Sequence, residues 1–349
     1  MDAWHLHGVL LPDGTAPIDL WIDASGLSEA PLIGARTLPG AYLLPGGIVD
    51  AHFHATLDFE ERGLTRERLL ELNLAALQRS GVLAARDTGQ PPDAPWLVDL
   101  QGPAFTAART LLAPPGRYFP GLGENAPPDR VVDLAVGHAR GGAQWVKVIL
   151  DFVGPDGNWF AAPRNYDPDT LSRLVQAVHA EGARVAVHTT GPAAADAVKA
   201  GVDSIEHGPS LDAAAVAEMA RRGTLWVPTL WTAESHLRPL AGTPAEPIVV
   251  AWRERMRELL GLALRLGVDV LVGSDERPAG ETVHEVEQLV ATGGLTPAQA
   301  LTAATATPRR ALGLPGHPAD LVTYDADPRE HPGALARPAA VLVGGRLTA

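Results

Sequence analysis

Short apolar runs alternate with longer amphipathic segments between residues 48 and 293. Runs rich in β-branched residues predict strands at 48–54, 82–87, 104–110, 145–150, 184–189, 203–207, 225–230 and 269–274. Segments with a 3.6-residue period predict helices at 65–80, 129–141, 168–182, 192–200, 211–222, 245–267 and 281–293. Only the connection near Pro95 to Gln101 is short and poorly helical. Eight successive strand–helix units predict an α/β fold, a (β/α)₈ TIM barrel whose reactive groups lie at the C-terminal strand ends.

The two ends of the chain follow a different pattern. Strand-like runs, broken by Pro and Gly turns, occur at 5–11 and 18–22 and again at 320–325 and 339–343. We therefore expect a small β-sandwich built from both termini. The predicted divisions are residues 1–47 for its N-terminal part, 48–313 for the barrel and 314–349 for its C-terminal part.

Composition narrows the functional classes. The 349 residues are 46% hydrophobic and 20% charged, which is typical of a globular protein. A net charge of −13 argues against nucleic acid or an anionic membrane as a partner, so we expect a small-molecule substrate. No run approaches the roughly 20 apolar residues that span a bilayer, and no secretory signal is recognisable, so the predicted location is the cytoplasm. The oligomeric state is left open, with a homo-oligomer as one option.

Candidate metal ligands lie in or at the ends of the predicted strands. The chain has no cysteine, so a metal would be bound by histidine and oxygen donors. His52 and His54 alternate on one strand and therefore point to the same side, whereas His188, His207 and Asp275 follow later strands. His5 and His7 have the same spacing without matching partners, and we expect them to be exposed or packed in the sandwich.

Lys147 is the most informative of these residues. It is one of only two lysines and interrupts the apolar run 145–150, where a buried ammonium is costly. Burial lowers a lysine pKa, and the neutral amine can add carbon dioxide to form a carbamate that bridges two divalent ions. The structural alternative is a lysine paired with a neighbouring carboxylate.

These residues predict a binuclear centre. His52, His54 and Asp275 would bind one ion, His188 and His207 the second, and the carboxylated Lys147 and a hydroxide would lie between them. The donors suit zinc, with cobalt, manganese or iron as substitutes. Asp275 would also act as general acid and base for the activated water.

Two Gly- and Pro-rich loops, 114–128 and 151–168, carry aromatic and basic residues suited to substrate contact. The candidates there are Arg117, Tyr118, Arg164 and Tyr166, with His236 after the seventh strand. Arg86 and Asp87, at the end of the second strand, are expected to form a structural ion pair.

The residues, in this order, resemble the amidohydrolase superfamily. The matching phrases include PGGIVDAHFH at 45–54, WVKVIL at 145–150, AGVDSIEHG at 200–208 and VGSD at 272–275. They are most similar to its prolidase-like and imidazolonepropionase-like branch. The resemblance implies a barrel with a small β-sandwich and the metal ligands His52, His54, Lys147, His188, His207 and Asp275.

The expected activity is hydrolysis of a C–N bond in an amide, dipeptide, N-acyl amino acid or cyclic amide. An ester, lactone or phosphotriester hydrolase on the same centre is the first alternative, because the activated water does not dictate the leaving group. A mononuclear deaminase is disfavoured by Lys147. An inactive ligand-binding homologue is the non-enzymatic alternative, and retention of every ligand position argues against it.

Overall fold

The computed structural model describes residues 2–58, 63–94, 104–154, 157–275 and 277–348. Its strands are β1 Trp4–Leu10, β2 Pro17–Asp23, β3 Gly26–Ser28, β4 Arg36–Thr37, β5 Tyr42–Pro45, β6 Ile48–Phe53, β7 Val82–Asp87, β8 Ala104–Ala107, β9 Leu111–Ala113, β10 Gly123–Asn125, β11 Trp145–Ile149, β12 Arg184–Thr189, β13 Ser204–His207, β14 Leu225–Val227, β15 Leu321–Tyr324, β16 Ala340–Val343 and β17 Arg346–Leu347.

The helices are α1 Arg66–Arg79, α2 Val131–Arg140, α3 Pro168–Ala180, α4 Ala194–Ala200, α5 Ala213–Arg222, α6 Leu230–Leu237, α7 Glu246–Leu266, α8 Val283–Ala291, α9 Pro297–Ala303 and α10 Ala306–Leu312. Side chains cap several of them, since Thr65, Asp167 and Asp212 each accept a backbone N–H in the first turn of α1, α3 and α5. The first-turn proline Pro168 also favours the start of α3.

Parallel strands make up the centre of this mixed α/β fold. One sheet has the order β10-β9-β11-β12-β13-β14, and a second has the order β6-β7-β8. In the first sheet Ile149 is paired with His188, and Thr189 with His207, so the C-terminal ends of β11, β12 and β13 lie side by side. The sheet therefore aligns the ends of the strands that carry Lys147, His188 and His207.

The predicted strands and helices of the central region are largely present, but several strands differ. The predicted strand 225–230 ends at Val227, and Leu230 begins α6 instead, while β10 was not predicted. In the run 104–110 the strand β8 ends at Ala107, isolated bridges follow at Ala108 and Thr110, and β9 begins only at Leu111. The run 269–274 forms an isolated bridge from Val270 to Trp226 rather than a strand. The predicted poorly helical connection at 95–101 lies outside the described residues.

Both chain ends contribute to one eight-stranded sheet. Its order is β17-β16-β15-β5-β1-β2-β3, with β4 paired to β1, so residues from 4–45 and 321–347 meet in a single layer. His5 and His7 lie on this sheet, and one ring nitrogen of each is within 3.1 Å of Oδ1 of Asp19. Their side chains are 28% and 61% exposed, so His5 is half-buried and His7 is exposed on this sheet. A second layer completing a sandwich stays a prediction.

No helix in the described ranges has both the length and the apolar character required to cross a membrane.

Candidate metal centre

Three predicted ligands converge where the parallel strands end. One ligand atom each from His52, His207 and Asp275 lies within 4.8 Å of the others. The Nε2 atom of His52 is 3.2 Å from Oδ1 of Asp275, and Oδ2 of Asp275 is 3.9 Å from Nδ1 of His207. Two imidazoles and a carboxylate at this separation form a donor set suited to a divalent transition metal.

Two further histidines, His54 and His188, extend this cluster. The Nε2 atom of His54 is 3.6 Å from Oδ1 of Asp275. The ring of His188 lies 4.6 Å from that of His207, measured between centroids. The predicted histidines therefore form one continuous group around Asp275, and both added side chains are almost fully buried.

Hydrogen bonds orient the two histidines of β6 and its C-terminal end. Nδ1 of His52 is 2.6 Å from Oε2 of Glu206, and Nδ1 of His54 is 2.8 Å from the carbonyl oxygen of Gly89. Because both partners are acceptors, each Nδ1 carries a hydrogen, and Nε2 of each ring is the nitrogen that faces Asp275. That is the tautomer required for metal ligation through Nε2.

Lys147 is enclosed beside this cluster. Its side chain is 1% exposed, and Nζ has no hydrogen-bond partner among the described residues. Burial lowers the pKa of Lys147 to about 8. Within the described ranges no hydrogen bond or ion pair joins Nζ of Lys147 to a carboxylate, although the charge of Glu206 acts on it, and Nε2 of His188 is likewise buried without a hydrogen-bond partner.

Electrostatics keep His188 and His207 neutral and the Asp275 carboxylate charged. Burial, with the neighbouring positive groups, holds the pKa of His188 well below its ordinary value and lowers that of His207 to about 3. Burial alone would raise the pKa of Asp275, but the charge and hydrogen bonds of His52 and His54 hold it well below its usual range. Neutral imidazole and ionised carboxylate are the protonation states that ligate metals.

The backbone is strained at the same place. His207, Thr229 and Asp275 have φ angles of 70°, 46° and 57°, and they are the non-glycine residues with positive φ in the described ranges. Oγ1 of Thr229 lies 2.7 Å from Nδ1 of His207, so all three belong to the site. Such conformations cost energy and concentrate where function requires a fixed geometry.

Comparison with known proteins decides the family. The sequence profile of the Amidohydrolase family matches residues 42–348. An uncharacterized protein of Mycobacterium tuberculosis strain H37Rv is 35% identical over 368 aligned positions, covering 98% of this chain and 95% of that protein. The chain belongs to the amidohydrolase family.

More distant proteins resemble parts of this amidohydrolase or its whole fold. Ochratoxinase of Aspergillus niger is 28% identical over 233 positions, which cover 60% of the chain and 47% of that protein. The crystal structure of A. niger ochratoxinase gives a TM-score of 0.78 at 20% identity, covering 99% and 95% of the two chains. A Xaa-Pro dipeptidase structure with bound methionine also gives 0.78, at 21% identity and 99% and 100% coverage.

The amidohydrolase centre includes carboxylates not singled out from the sequence. Glu206 is fully buried and contacts His52, Arg86 and Ser204. Asp50 is equally buried and accepts hydrogen bonds from the backbone N–H groups of His52 and Ser274 and from two hydroxyls. Each is an acidic residue inside an apolar strand, so the burial argument applied to Lys147 would have found both.

The predicted Arg86–Asp87 ion pair of the amidohydrolase is wrong. Arg86 donates to Oε1 of Glu206 at 2.7 Å, whereas Asp87 accepts the backbone N–H groups of Ala55 and Gly89. Adjacent residues in a strand point to opposite faces, so their side chains diverge.

The predicted substrate residues of the amidohydrolase occupy different environments. Tyr118 lies at the cluster, with its ring 5.8 Å from that of His188, whereas Tyr166 is buried and donates to the carbonyl of Ala126. Arg117, on the first loop, donates to three oxygen atoms of the second loop, 151–168. Arg164 forms an ion pair with Asp196 at 2.9 Å, and His236 is exposed in the last turn of α6. Substrate contact by these five residues stays a prediction.

Proposed function

We propose that the protein is a metal-dependent hydrolase that cleaves a C–N bond in a small amide, dipeptide, N-acyl amino acid or cyclic amide. The observation that carries the proposal is the convergence of four histidines and Asp275 beside a buried lysine whose Nζ has no hydrogen-bond partner among the described residues. Membership of the Amidohydrolase family supports it.

The donor set fits two divalent ions, with zinc favoured by neutral imidazoles. His52, His54 and Asp275 would hold one ion, and His188 and His207 the other. Lys147, as a carbamate, would contribute oxygen to both, which accounts for its burial without a partner. When bound, the ions would supply Lewis-acid polarisation of a carbonyl and lower the pKa of water.

Asp275 would move the proton in this reaction. Its carboxylate is ionised and lies at the centre of the imidazoles, within hydrogen-bond distance of His52. In hydrolysis a C–O bond forms from water and the C–N bond breaks, so the proton lost by water must reach the leaving nitrogen. Asp275 would accept that proton and deliver it, leaving a carboxylic acid and an amine as products.

We infer that the parallel strands close into the (β/α)₈ barrel. Bridges join Ala108 to Trp145 and Trp226 to Val270, and the N–H of Ala51 donates to the carbonyl of Val272. A Cβ on Gly273 would lie 2.4 Å from Cβ of His52 and 2.6 Å from Cγ1 of Val227, so only glycine fits between these strands. One buried apolar cluster contains residues from seven of the runs, namely Val49, Ala51, Ala84, Ala108, Trp145, Ala186, Leu225, Val227 and Leu271.

A screen with metal-replete protein tests the activity. N-acyl amino acids, dipeptides and cyclic amides are compared with matched esters and phosphotriesters, and with aminated purines and pyrimidines for ammonia release. Amine release from an amide, abolished by chelation and restored by zinc, is expected. Cleavage of esters or phosphotriesters but not of amides would support the alternative of an ester or phosphotriester hydrolase. Ammonia release from aminated purines or pyrimidines would support a deaminase.

A further inference from the structure

Four aromatic side chains form a continuous surface beside His188, here called the aromatic wall: Tyr118, Phe119, Phe152 and Trp159. They come from the loops that follow β9 and β11. The ring of Phe152 lies 5.3 Å from Tyr118, 5.1 Å from Phe119 and 5.5 Å from Trp159, in edge-on arrangements that aromatic pairs prefer.

The wall is continuous with the candidate metal centre. The rings of Tyr118 and Trp159 lie 5.8 Å and 6.5 Å from the ring of His188. At these distances, a planar group on the wall would be only a few bonds from a carbonyl held at the centre. The wall also retains accessible apolar surface, since Phe119 is 43% exposed and Trp159 is half-buried.

Polar contacts beneath the wall fix the two loops to each other. The Arg117 guanidinium donates to Oδ1 of Asn165 at 2.8 Å and to the carbonyl of Pro163 at 2.7 Å. Nδ2 of Asn165 donates to the carbonyl of Ile149, the last residue of β11. The loops are thus joined to each other and to the strand that carries Lys147, so contacts within the protein alone hold the wall in place.

A third contact sets the wall against His188. Asp151 is fully buried and accepts hydrogen bonds from the Thr189 and Thr190 hydroxyls and from the backbone N–H groups of Thr190 and Gly191. It joins the start of the wall's second loop to the end of β12, next to His188. A preformed apolar surface binds its ligand with little loss of conformational entropy.

We infer that the aromatic wall selects substrates that carry an aromatic or similarly planar apolar group beside the scissile C–N bond. This inference rests on the proposed function and adds the substrate class. Trp159 and Phe119 are the specificity-determining residues, because they combine accessible ring surface with a place in the wall. Arg117 is a positioning residue whose donors hold the loops.

The test compares three N-acyl amino acids with metal-replete protein. N-acetylalanine is small on both sides, N-benzoylalanine is aromatic on the acyl side, and N-acetylphenylalanine is aromatic on the amine side. The wild type should show a kcat/KM at least about tenfold higher for one aromatic substrate than for N-acetylalanine. In Trp159→Ala and Phe119→Ala this ratio should fall about tenfold or more.

Trp21→Ala, on the eight-stranded terminal sheet, is the matched control and should keep the wild-type ratio. Binding of benzamide and acetamide, followed by calorimetry, adds a readout that does not depend on turnover. Benzamide should bind the wild type and lose affinity in Trp159→Ala.

Equal kcat/KM for all three substrates, with a ratio unchanged in both wall variants, would overturn the inference while leaving the hydrolase proposal intact. Absence of any amide hydrolysis, with benzamide binding retained, would instead count against the proposed function.

Discussion

The Nδ1 atom of His52 lies 2.6 Å from Oε2 of Glu206, and both side chains are inaccessible to solvent. The other oxygen of Glu206 accepts from Arg86 at 2.7 Å, so the carboxylate joins a guanidinium to a candidate ligand. Burial opposes ionisation of Glu206, yet Arg86 and Lys147 hold its pKa well below the usual range. A charged acceptor behind a metal-ligating imidazole fixes the ring and increases its basicity.

Replacing Glu206 with Gln should weaken metal binding by about 10- to 100-fold, because His52 loses a charged acceptor. The measurement is zinc affinity by competition with a chromophoric chelator. Glu124→Gln is the control, since Glu124 lies 2.9 Å from His138, a histidine outside the centre. Unchanged affinity in Glu206→Gln would show that the pair does not support ligation.

Lys147 should carry the carbamate, because a buried amine without a partner is suited to adding carbon dioxide. After equilibration with ¹³C-bicarbonate and zinc, carbon NMR should show a carbamate resonance that is missing in Lys147→Ala. Lys199→Ala removes the chain's other lysine, which is exposed on α4, and should keep the signal. A resonance that persists in Lys147→Ala would place the modification elsewhere.

Asp50 should stabilise the junction between β6 and the segment that carries Asp275. Its oxygens accept from the backbone N–H and hydroxyl of Ser274 and from the Thr282 hydroxyl. Asp50→Asn turns one acceptor into a donor that faces these donors, and it should lower the free energy of unfolding by about 2–4 kcal/mol. Thr282→Val, which removes a single bond, should cost about 1 kcal/mol in the same urea titration. Equal losses in the two variants would contradict this role.

Glu285 should make stability depend on pH. Its buried carboxyl accepts the N–H groups of Leu230 and Trp231, and burial raises its pKa to about 8 from an ordinary value of 4.5. The folded chain then keeps a proton that the unfolded chain releases, so this contribution is complete below pH 4.5 and is lost as the pH rises toward 8.

The free energy of unfolding of the wild type minus that of Glu285→Gln should therefore fall between pH 5 and pH 8. All other titrating groups, including the candidate metal ligands, are present in both proteins, so their contribution to the pH dependence cancels in this difference. A difference that stays constant would mean that the two N–H donors keep the carboxylate ionised.

Local pattern was sufficient to single out the histidines, Lys147 and Asp275 that lie together in the structure, and the strands that carry most of them. His52 and Lys147 stand out because period-two alternation and the cost of a buried charge can be evaluated within one strand. The residues that orient them could not be assigned in this way. Glu206 lies 154 positions from His52, and only the three-dimensional arrangement brings the two together.

Long-range contacts also decided the outcome for a loop residue and for one predicted strand. Tyr166 was predicted to bind substrate because it is an aromatic residue in a Gly- and Pro-rich loop. In the structure its side chain is buried, and its hydroxyl donates to the carbonyl of Ala126, which is 40 positions away. The run 269–274 is apolar enough for a strand, yet Gly273 packs against His52 and Val227 and the run forms only an isolated bridge. Tertiary contacts, which single-sequence periodicity does not contain, decide both outcomes.

Metal content per chain, measured by plasma mass spectrometry on protein purified without chelator and with bicarbonate present, tests the central claim most directly. The centre built from His52, His54, Lys147, His188, His207 and Asp275 predicts about two divalent ions per chain. A value near one would contradict the bridged centre, and none after zinc supplementation would contradict a metal-dependent hydrolase altogether.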